Sequence, residues 1–311
     1  MAGASSEFPM SAFRRHIKRW LGPRLSNARF LFGAPLAYKP GHFYSPICDP
    51  KDLARHYRDP DGMAGRVDLP GIDLREPEQR ALWEDWKPYL LEFPFAAQPK
   101  NGLRFHYANS SFGPGDATVL YCMLRHFKPR RLIEVGSGFS SVCALDTIDR
   151  YLGDVTCTFI DPHPGLLLSL LEPADRSRIR IIGSEIQDVA LETFDTLDAG
   201  DLLFIDSTHV AKTGSDVVHE LFAILPRLKP GVIVHLHDIH YPFEYPKAWV
   251  VDLNYSWNEV YAIRAFLSYN SAFEVLFFND YFGRFHGDLL DREAPDMALN
   301  YGSGLWLRRR A

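Results

Sequence analysis

Apolar residues from about position 116 onward fall into short continuous runs, separated by stretches in which they recur every three or four positions. Continuous runs stand at Arg131–Val135, 155–160, 178–182, 201–205 and 231–236. A strand buried on both faces reads in this way, because neither face needs polar residues. Helical patterns lie between the runs at 140–151, 164–171 and about 215–228. An earlier helix is predicted over 116–127, with Val119, Leu120, Met123, Leu124 and Phe127 as its stripe, Asp116 as N-cap and Lys128-Pro129 as its stop. A helix at 257–267 and strands at 273–278 and 304–308 complete the series. Strands alternating with helices predict an α/β protein: a doubly wound, mostly parallel, seven-stranded Rossmann-like sheet covered on both faces. Such a sheet binds its ligands at the carboxyl ends of its strands.

Residues 1–115 lack this alternation, and Pro94, Pro99, Gly102, Gly113, Pro114 and Gly115 punctuate their end. They are read as an N-terminal irregular or helical extension, and 116–311 as the sheet domain. Aromatics such as Phe30, Phe32, Tyr38, Phe43 and Tyr44 suit the extension to a lid or a contact between copies of the chain. Phe13, Ile17, Trp20 and Leu21 share one helical face beside Arg14, Arg15, Lys18 and Arg19. That face is expected to lie on the protein's own body, with peripheral contact to an anionic membrane surface as the second reading.

Composition narrows the function. The 311 residues are 46% hydrophobic, enough for a large core, and the net charge of -5 argues against nucleic acid as a partner. No apolar run reaches the roughly 20 residues a membrane span needs. Cys48, Cys122, Cys143 and Cys157 form no Cys-x-x-Cys pair, and three of them sit in apolar stretches. Reduced thiols in a cytoplasmic protein are expected.

The first strand ends in Glu134-Val135-Gly136-Ser137-Gly138-Phe139-Ser140-Ser141. Glycines at 136 and 138 allow a sharp turn and close approach of backbone to a ligand. A dinucleotide fingerprint would place a glycine or alanine at 141, where this chain has serine. Asp161 closes the second strand, where a carboxylate accepts hydrogen bonds from ribose hydroxyls. Glu134 separates two cofactor classes. A carboxylate beside the turn repels a pyrophosphate and attracts the ammonium and sulfonium of S-adenosylmethionine.

Together with the acidic stretch Gly183-Ser184-Glu185-Ile186-Gln187-Asp188, these segments resemble the class I methyltransferases. The resemblance covers about residues 103–311. It is strongest to the small-molecule O-methyltransferase branch that includes catechol O-methyltransferase-like and macrolide-sugar enzymes. It implies a reversed final hairpin in the sheet and S-adenosylmethionine as cofactor. Glu134, Gly136, Ser137, Gly138 and Ser140 would hold the methionine portion, Asp161 the ribose, and Ser184, Gln187 or Asp188 the adenine, with His163 a further cofactor-binding candidate. The stretch Asn109-Ser110-Ser111-Phe112-Gly113 would close over the methionine end.

A second constellation stands at the ends of strands four and five: Asp206-Ser207-Thr208-His209 and His235-Leu236-His237-Asp238-Ile239-His240. Neighbouring parallel strands bring these ends together, and period-2 alternation puts His235 and His237 on one face. Acids and imidazoles on one rim suit a divalent ion, magnesium or another. The resemblance places a magnesium site at Asp206 and Asp238, with His237 or His240 as candidates for a further ligand; the metal set is read as Asp206, His237 and Asp238. Asp206 also borders the expected cofactor. His209 occupies the place of the relatives' catalytic lysine and is the first candidate general base, His240 the second. The aromatics of 241–246, with Trp249, Tyr255 and Trp257, suit either an acceptor pocket or the core.

The leading reading is an S-adenosylmethionine-dependent methyltransferase acting on a hydroxyl of a small molecule or glycan. A nicotinamide-dependent oxidoreductase, a non-catalytic scaffold on a cofactor fold, and a metal-dependent enzyme of other chemistry are the alternatives.

Overall fold

The computed structural model describes residues 37–57 and 65–310. The chain divides into two compact units, Met1–His56 and Tyr57–Ala311. In the described part of the first, an aromatic turn in which Tyr38 stacks on His42 at 4.7 Å precedes helix α1 (Pro50–His56). The amphipathic stretch 13–21 and Phe30 and Phe32 lie outside the described residues.

The second unit runs α2 (Glu76–Leu90), α3 (Pro114–Phe127), β1 (Arg131–Val135), α4 (Phe139–Tyr151), β2 (Thr156–Ile160), α5 (Gly165–Leu170), β3 (Ile179–Ile182), α6 (Glu192–Asp195), β4 (Leu202–Ile205), α7 (Asp216–His219) and β5 (Ile233–Leu236). It continues with α8 (Glu259–Leu267), β6 (Phe273–Phe278), α9 (Asn279–Phe285), α10 (Gly287–Glu293), α11 (Pro295–Leu299) and β7 (Leu305–Arg309). The seven strands form one sheet in the order β3-β2-β1-β4-β5-β7-β6. The first five pair in parallel, and β7 is antiparallel to both β5 and β6. This is the expected doubly wound sheet with its last hairpin reversed.

Alternation along the central strands feeds two cores. Leu132, Leu202 and Phe204 face a layer that includes α3 and α4. Ile133, Val135, Leu203 and Ile205 face the opposite layer, with Val260 and Ile263 of α8. Because both faces are covered, β4 and β5 have no exposed position at all.

Residues 65–113 belong to this unit, so the division expected near 115 falls inside it. Within α2, which the sequence pattern does not single out, Trp83 and Trp86 are fully buried. Trp86 lies 4.9 Å from Phe277 and Trp83 lies 5.0 Å from Phe282, and the Trp83 indole donates to Glu293 at 2.7 Å. Each buried tryptophan stabilises by roughly 4–6 kcal/mol before entropy is counted. Arg104 ties the same segment down by bridging Asp146 of α4 and Asp175, both at 2.6 Å.

Two expectations along the helices change. Asp116 is not the N-cap of α3; Gly113 is, with Pro114 in the first turn. Asp116 is buried and accepts hydrogen bonds from the Ser303 amide and the Asn279 side chain, which anchors the loop before β7. The helix expected over 215–228 starts where expected, with Ser215 capping the Val218 amide, but it widens into a π turn at Glu220–Ile224 and tightens into a 3-10 turn at Leu225–Arg227. Pro226 explains the tightening, because its ring cannot continue the hydrogen-bond ladder. Cys122, Cys143 and Cys157 are buried and unpaired, and Cys48 is exposed. No helix among the described residues is long and apolar enough to cross a membrane.

Candidate functional site

The turn after β1 is built around Gly136, whose φ of +78° belongs to the left-handed region. A Cβ there would lie 2.0 Å from the carbonyl oxygen of Asp206, so a side chain cannot enter without moving β4. The Gly136 amide donates to Ile160, and the Asp206 amide donates to Val135, both at 2.9 Å. These bonds lock the ends of β1, β2 and β4 together. Asp161 at the end of β2 accepts from the Ser137 amide (3.1 Å) and hydroxyl (2.7 Å) and from the His163 amide (2.7 Å). A carboxylate offers about four lone-pair directions, so acceptor capacity remains for a ligand hydroxyl.

Glu134 lies under this turn at 1% exposure, where the Ser140 hydroxyl donates to it. Burial, reinforced by the charges of Asp206 and Asp161, pushes its carboxyl up to about 8 despite hydrogen bonds from Ser140 and Ser141. Ser141 also accepts from the Gly138 amide at 3.0 Å. The serine that replaces the third fingerprint residue thus satisfies a donor at the start of α4.

A cavity of about 460 Å³ opens over the carboxyl ends of β1, β2 and β4. Of the expected cofactor residues, Gly136, Asp161, His163, Gln187 and Asp206 line it. Ser137 reaches it through Asp161, whereas Glu134, Gly138 and Ser140 sit beneath the turn rather than in the wall. Ser184 and Asp188 are not in the wall either; Asp188 is exposed, while Glu185 and Ile186 face the cavity from the same loop. Lys212, Thr208 and Asp216 line it too, and Asp216 accepts from both the amide and the hydroxyl of Thr208. Lys212 lies on the excursion between β4 and α7 and Asp216 opens α7, neither of them within a short motif. Asn109 instead folds its own turn, accepting from the amides of Ser111 and Phe112 at 2.9 and 2.7 Å.

Beside this cavity, Asp206, His209 and Asp238 converge, with one ligand atom from each lying within 4.8 Å of the others. His209 Nε2 is 3.4 Å from Asp206 Oδ1 and 3.4 Å from Asp238 Oδ2, and its Nδ1 is 2.8 Å from Glu259. Burial alone would lower the imidazole's pKa, but hydrogen bonds to Asp206 and Glu259 and the charge of Asp238 push it up to about 11. His209 and Asp238 have φ of +60° and +56°. Non-glycine residues held there cost energy, and such strain concentrates where a side chain must be aimed.

Among the described residues His209, rather than the expected His237, completes this close cluster with Asp206 and Asp238. His237 turns inward: its Nδ1 lies 3.3 Å from His235 Nε2, and its ring packs 5.5 Å from Phe112. Its Nε2 stays 3.7 Å from Asp238, so it supports that carboxylate from behind. His240 is largely buried, with Nδ1 3.9 Å from Asp280 and its ring edge-on to Trp249 at 5.0 Å. Its Nε2 has no hydrogen-bond partner among the described residues.

The aromatic segment divides in two. Tyr241, Phe243 and Tyr245 are core residues at 1–2% exposure. Trp249, Tyr255 and Trp257 remain partly exposed. Trp257 lies 4.5 Å from His209 and stacks on Tyr255 at 4.5 Å, while Trp249 meets Trp257 edge-on at 5.5 Å. An aromatic wall therefore stands against the charged trio.

Residues 133–239 match the family described as a methyltransferase domain. An uncharacterized protein of Archaeoglobus fulgidus is 31% identical over 164 residues, which cover 52% of this chain and 74% of the relative. Among solved structures, the O-methyltransferase TomG of Streptomyces achromogenes, in complex with S-adenosylmethionine, is 16% identical over 77% of this chain and 92% of its own, with a TM-score of 0.42. The Bacillus cereus O-methyltransferase in complex with S-adenosylhomocysteine is 12% identical over 83% and 97%, with a TM-score of 0.40.

Proposed function

We propose that the chain, whose residues 133–239 match a methyltransferase-domain family, is a class I S-adenosylmethionine-dependent methyltransferase that methylates a hydroxyl oxygen of a small molecule or sugar held against the Asp206, His209 and Asp238 trio. One observation carries this reading: Asp206 belongs both to the cavity wall and to the trio, so cofactor and acceptor sites share a residue. Two carboxylates and an imidazole are donors that suit a divalent ion, and the imidazolium between the carboxylates marks a place where positive charge is favoured. When bound, such an ion would orient the acceptor oxygen and favour its deprotonation.

The chain's own residues carry the rest. Asp161 accepts from the ribose hydroxyls, and the bare backbone at Gly136 lets the cofactor lie close to the turn. Glu185, Ile186 and Gln187 offer the adenine edge polar and apolar contacts, and Glu134 supplies charge beneath the methionine end. In the transfer, the methyl carbon leaves sulfur as it bonds to oxygen in line, and the acceptor's proton must go to a base. Both nitrogens of His209 face carboxylates, which leaves His240, whose buried Nε2 has no hydrogen-bond partner among the described residues, as the second candidate base. The Trp257 and Tyr255 faces suit a ring-bearing acceptor.

Calorimetry with S-adenosylhomocysteine tests the cofactor assignment. Wild-type protein should bind, and Asp161→Asn should weaken binding by about ten- to a hundredfold, as expected for losing hydrogen bonds to a charged acceptor. Absence of wild-type binding at high micromolar concentration would overturn the reading.

A further inference from the structure

Behind the trio stands Glu259, a residue that no motif of the chain contains. It opens α8, is 2% exposed, and places Oε2 2.8 Å from His209 Nδ1. The amides of Asn258 and Glu259 both donate to the His209 carbonyl, at 3.1 and 3.2 Å. The Asn258 side chain accepts from the Ala211 amide at 2.7 Å and donates to its carbonyl at 3.3 Å. The start of α8 thus grips the His209 to Ala211 loop by backbone and by ring, and it holds His209 in its left-handed conformation.

A carboxylate in the first turn of a helix is usually explained by the helix dipole and the free amides there. Glu259 departs from that pattern, because its carboxylate is spent on the imidazole. We propose that Glu259 is the positioning residue of the methyl-transfer site. Accepting from Nδ1–H, it fixes the ring's orientation and directs Nε2 between Asp206 and Asp238. When a cation takes the place of the Nε2 proton, the same bond keeps the remaining proton on Nδ1, so Nε2 is free to coordinate. The inference rests on the reading of the trio as the acceptor and metal site.

Glu220 supplies an internal comparison. It is also 1% exposed and backs the same rim, where Ser207 donates to it at 3.2 Å, but its other oxygen has no hydrogen-bond partner among the described residues. No hydrogen bond links it to His209. A buried glutamate that merely supports the fold and one that aims the imidazole can therefore be told apart in one molecule.

The test uses the full chain and two readouts. Mn²⁺ alone, followed by its electron paramagnetic resonance, should bind wild type, and Glu259→Gln should weaken that binding about ten- to a hundredfold. Glu220→Gln, which breaks no hydrogen bond to His209, should weaken it clearly less than Glu259→Gln, and both variants should keep S-adenosylhomocysteine affinity within about twofold. In nitrogen-15 spectra of the metal-free protein, the His209 Nδ1–H, assigned by its loss in His209→Asn, should be downfield and slow to exchange in wild type. Glu259→Gln should move it upfield and speed its exchange. An unchanged Nδ1–H signal in Glu259→Gln overturns the positioning role, as does equal loss of Mn²⁺ affinity in the two glutamine variants. Failure of wild type to bind Mn²⁺ overturns the metal reading instead, and the Nδ1–H signal then decides the inference. Should Glu259→Gln not fold, Glu259→Asp, which keeps the charge and loses the reach of one methylene, is read by the same signals.

Discussion

Asp238→Asn is expected to lower methyl transfer by about two to three orders of magnitude, the scale of losing one preorganised electrostatic group, while S-adenosylhomocysteine affinity stays within about twofold. The substitution is chosen for its backbone. Asp238 sits at φ +56°, a conformation that asparagine tolerates better than other side chains, so the turn after β5 should survive. The amide oxygen can still accept from the Ser303 hydroxyl, which now bonds to the carboxylate at 2.9 Å. What disappears is one of the two charges facing His209 Nε2. Asp238 is also absent from the wall of the cofactor cavity, whereas Asp206 is part of it. Asp206→Asn should therefore cost both affinity and turnover, and the contrast between the two variants separates the sites. Transfer of a labelled methyl group to the best acceptor from a panel of phenols and glycosides measures one quantity, and calorimetry the other. A parallel fall of both quantities in Asp238→Asn would mean that the two sites are not separable as proposed.

The sheet was legible because parallel strands covered on both faces are written as continuous apolar runs, and their carboxyl ends could be marked to within a residue. Asp161 and Asp206 lie at those ends and line the cavity, as the spacing predicts. Helix α2 was not legible. Pro77, Pro88 and six charged side chains interrupt it, and the aromatic partners of its buried Trp83 and Trp86, Phe282 and Phe277, lie nearly 200 residues away. The trio was half legible. Alternation placed His235 and His237 on one face, and His235 lies in the middle of a strand without exposed positions. Followed one step further, the same rule turns His237 inward, where it meets Phe112 and His235, and leaves the third position to a loop residue. His209 fills it, three residues past Asp206. Glu259 had no local signal at all, because only the packing of α8 against that loop brings it to the imidazole. The candidate residues at strand ends can thus be read from sequence, while the group proposed to aim them comes from an element distant in the chain.

Glu134→Gln is expected to stabilise the ligand-free protein and weaken its hold on the cofactor. Glu134 is buried and its carboxyl is pushed up to about 8, whereas an unfolded chain releases that proton near pH 4.3. Between those values the native state binds a proton that the unfolded state does not. Stability must then fall as pH rises, by about 1.4 kcal/mol per unit, and level off above the folded value. Glutamine carries no such proton. The two proteins should be nearly equal in stability near pH 4, and the variant should lead by on the order of 4 kcal/mol at pH 8. Urea unfolding at pH 5 and pH 8 reads the difference; a lead that does not grow with pH would show that burial of the charge is not the cause. The Ser140 hydroxyl keeps an acceptor in either case, so the turn itself should persist. A carboxylate retained against such a penalty calls for a compensating use, and the methionine end of the cofactor brings an ammonium and a sulfonium close to it. Saturating wild type with S-adenosylmethionine should therefore recover more stability at pH 8 than the same treatment of the variant, because the ligand's ammonium and sulfonium offset the cost of ionising Glu134 and have nothing to offset in glutamine.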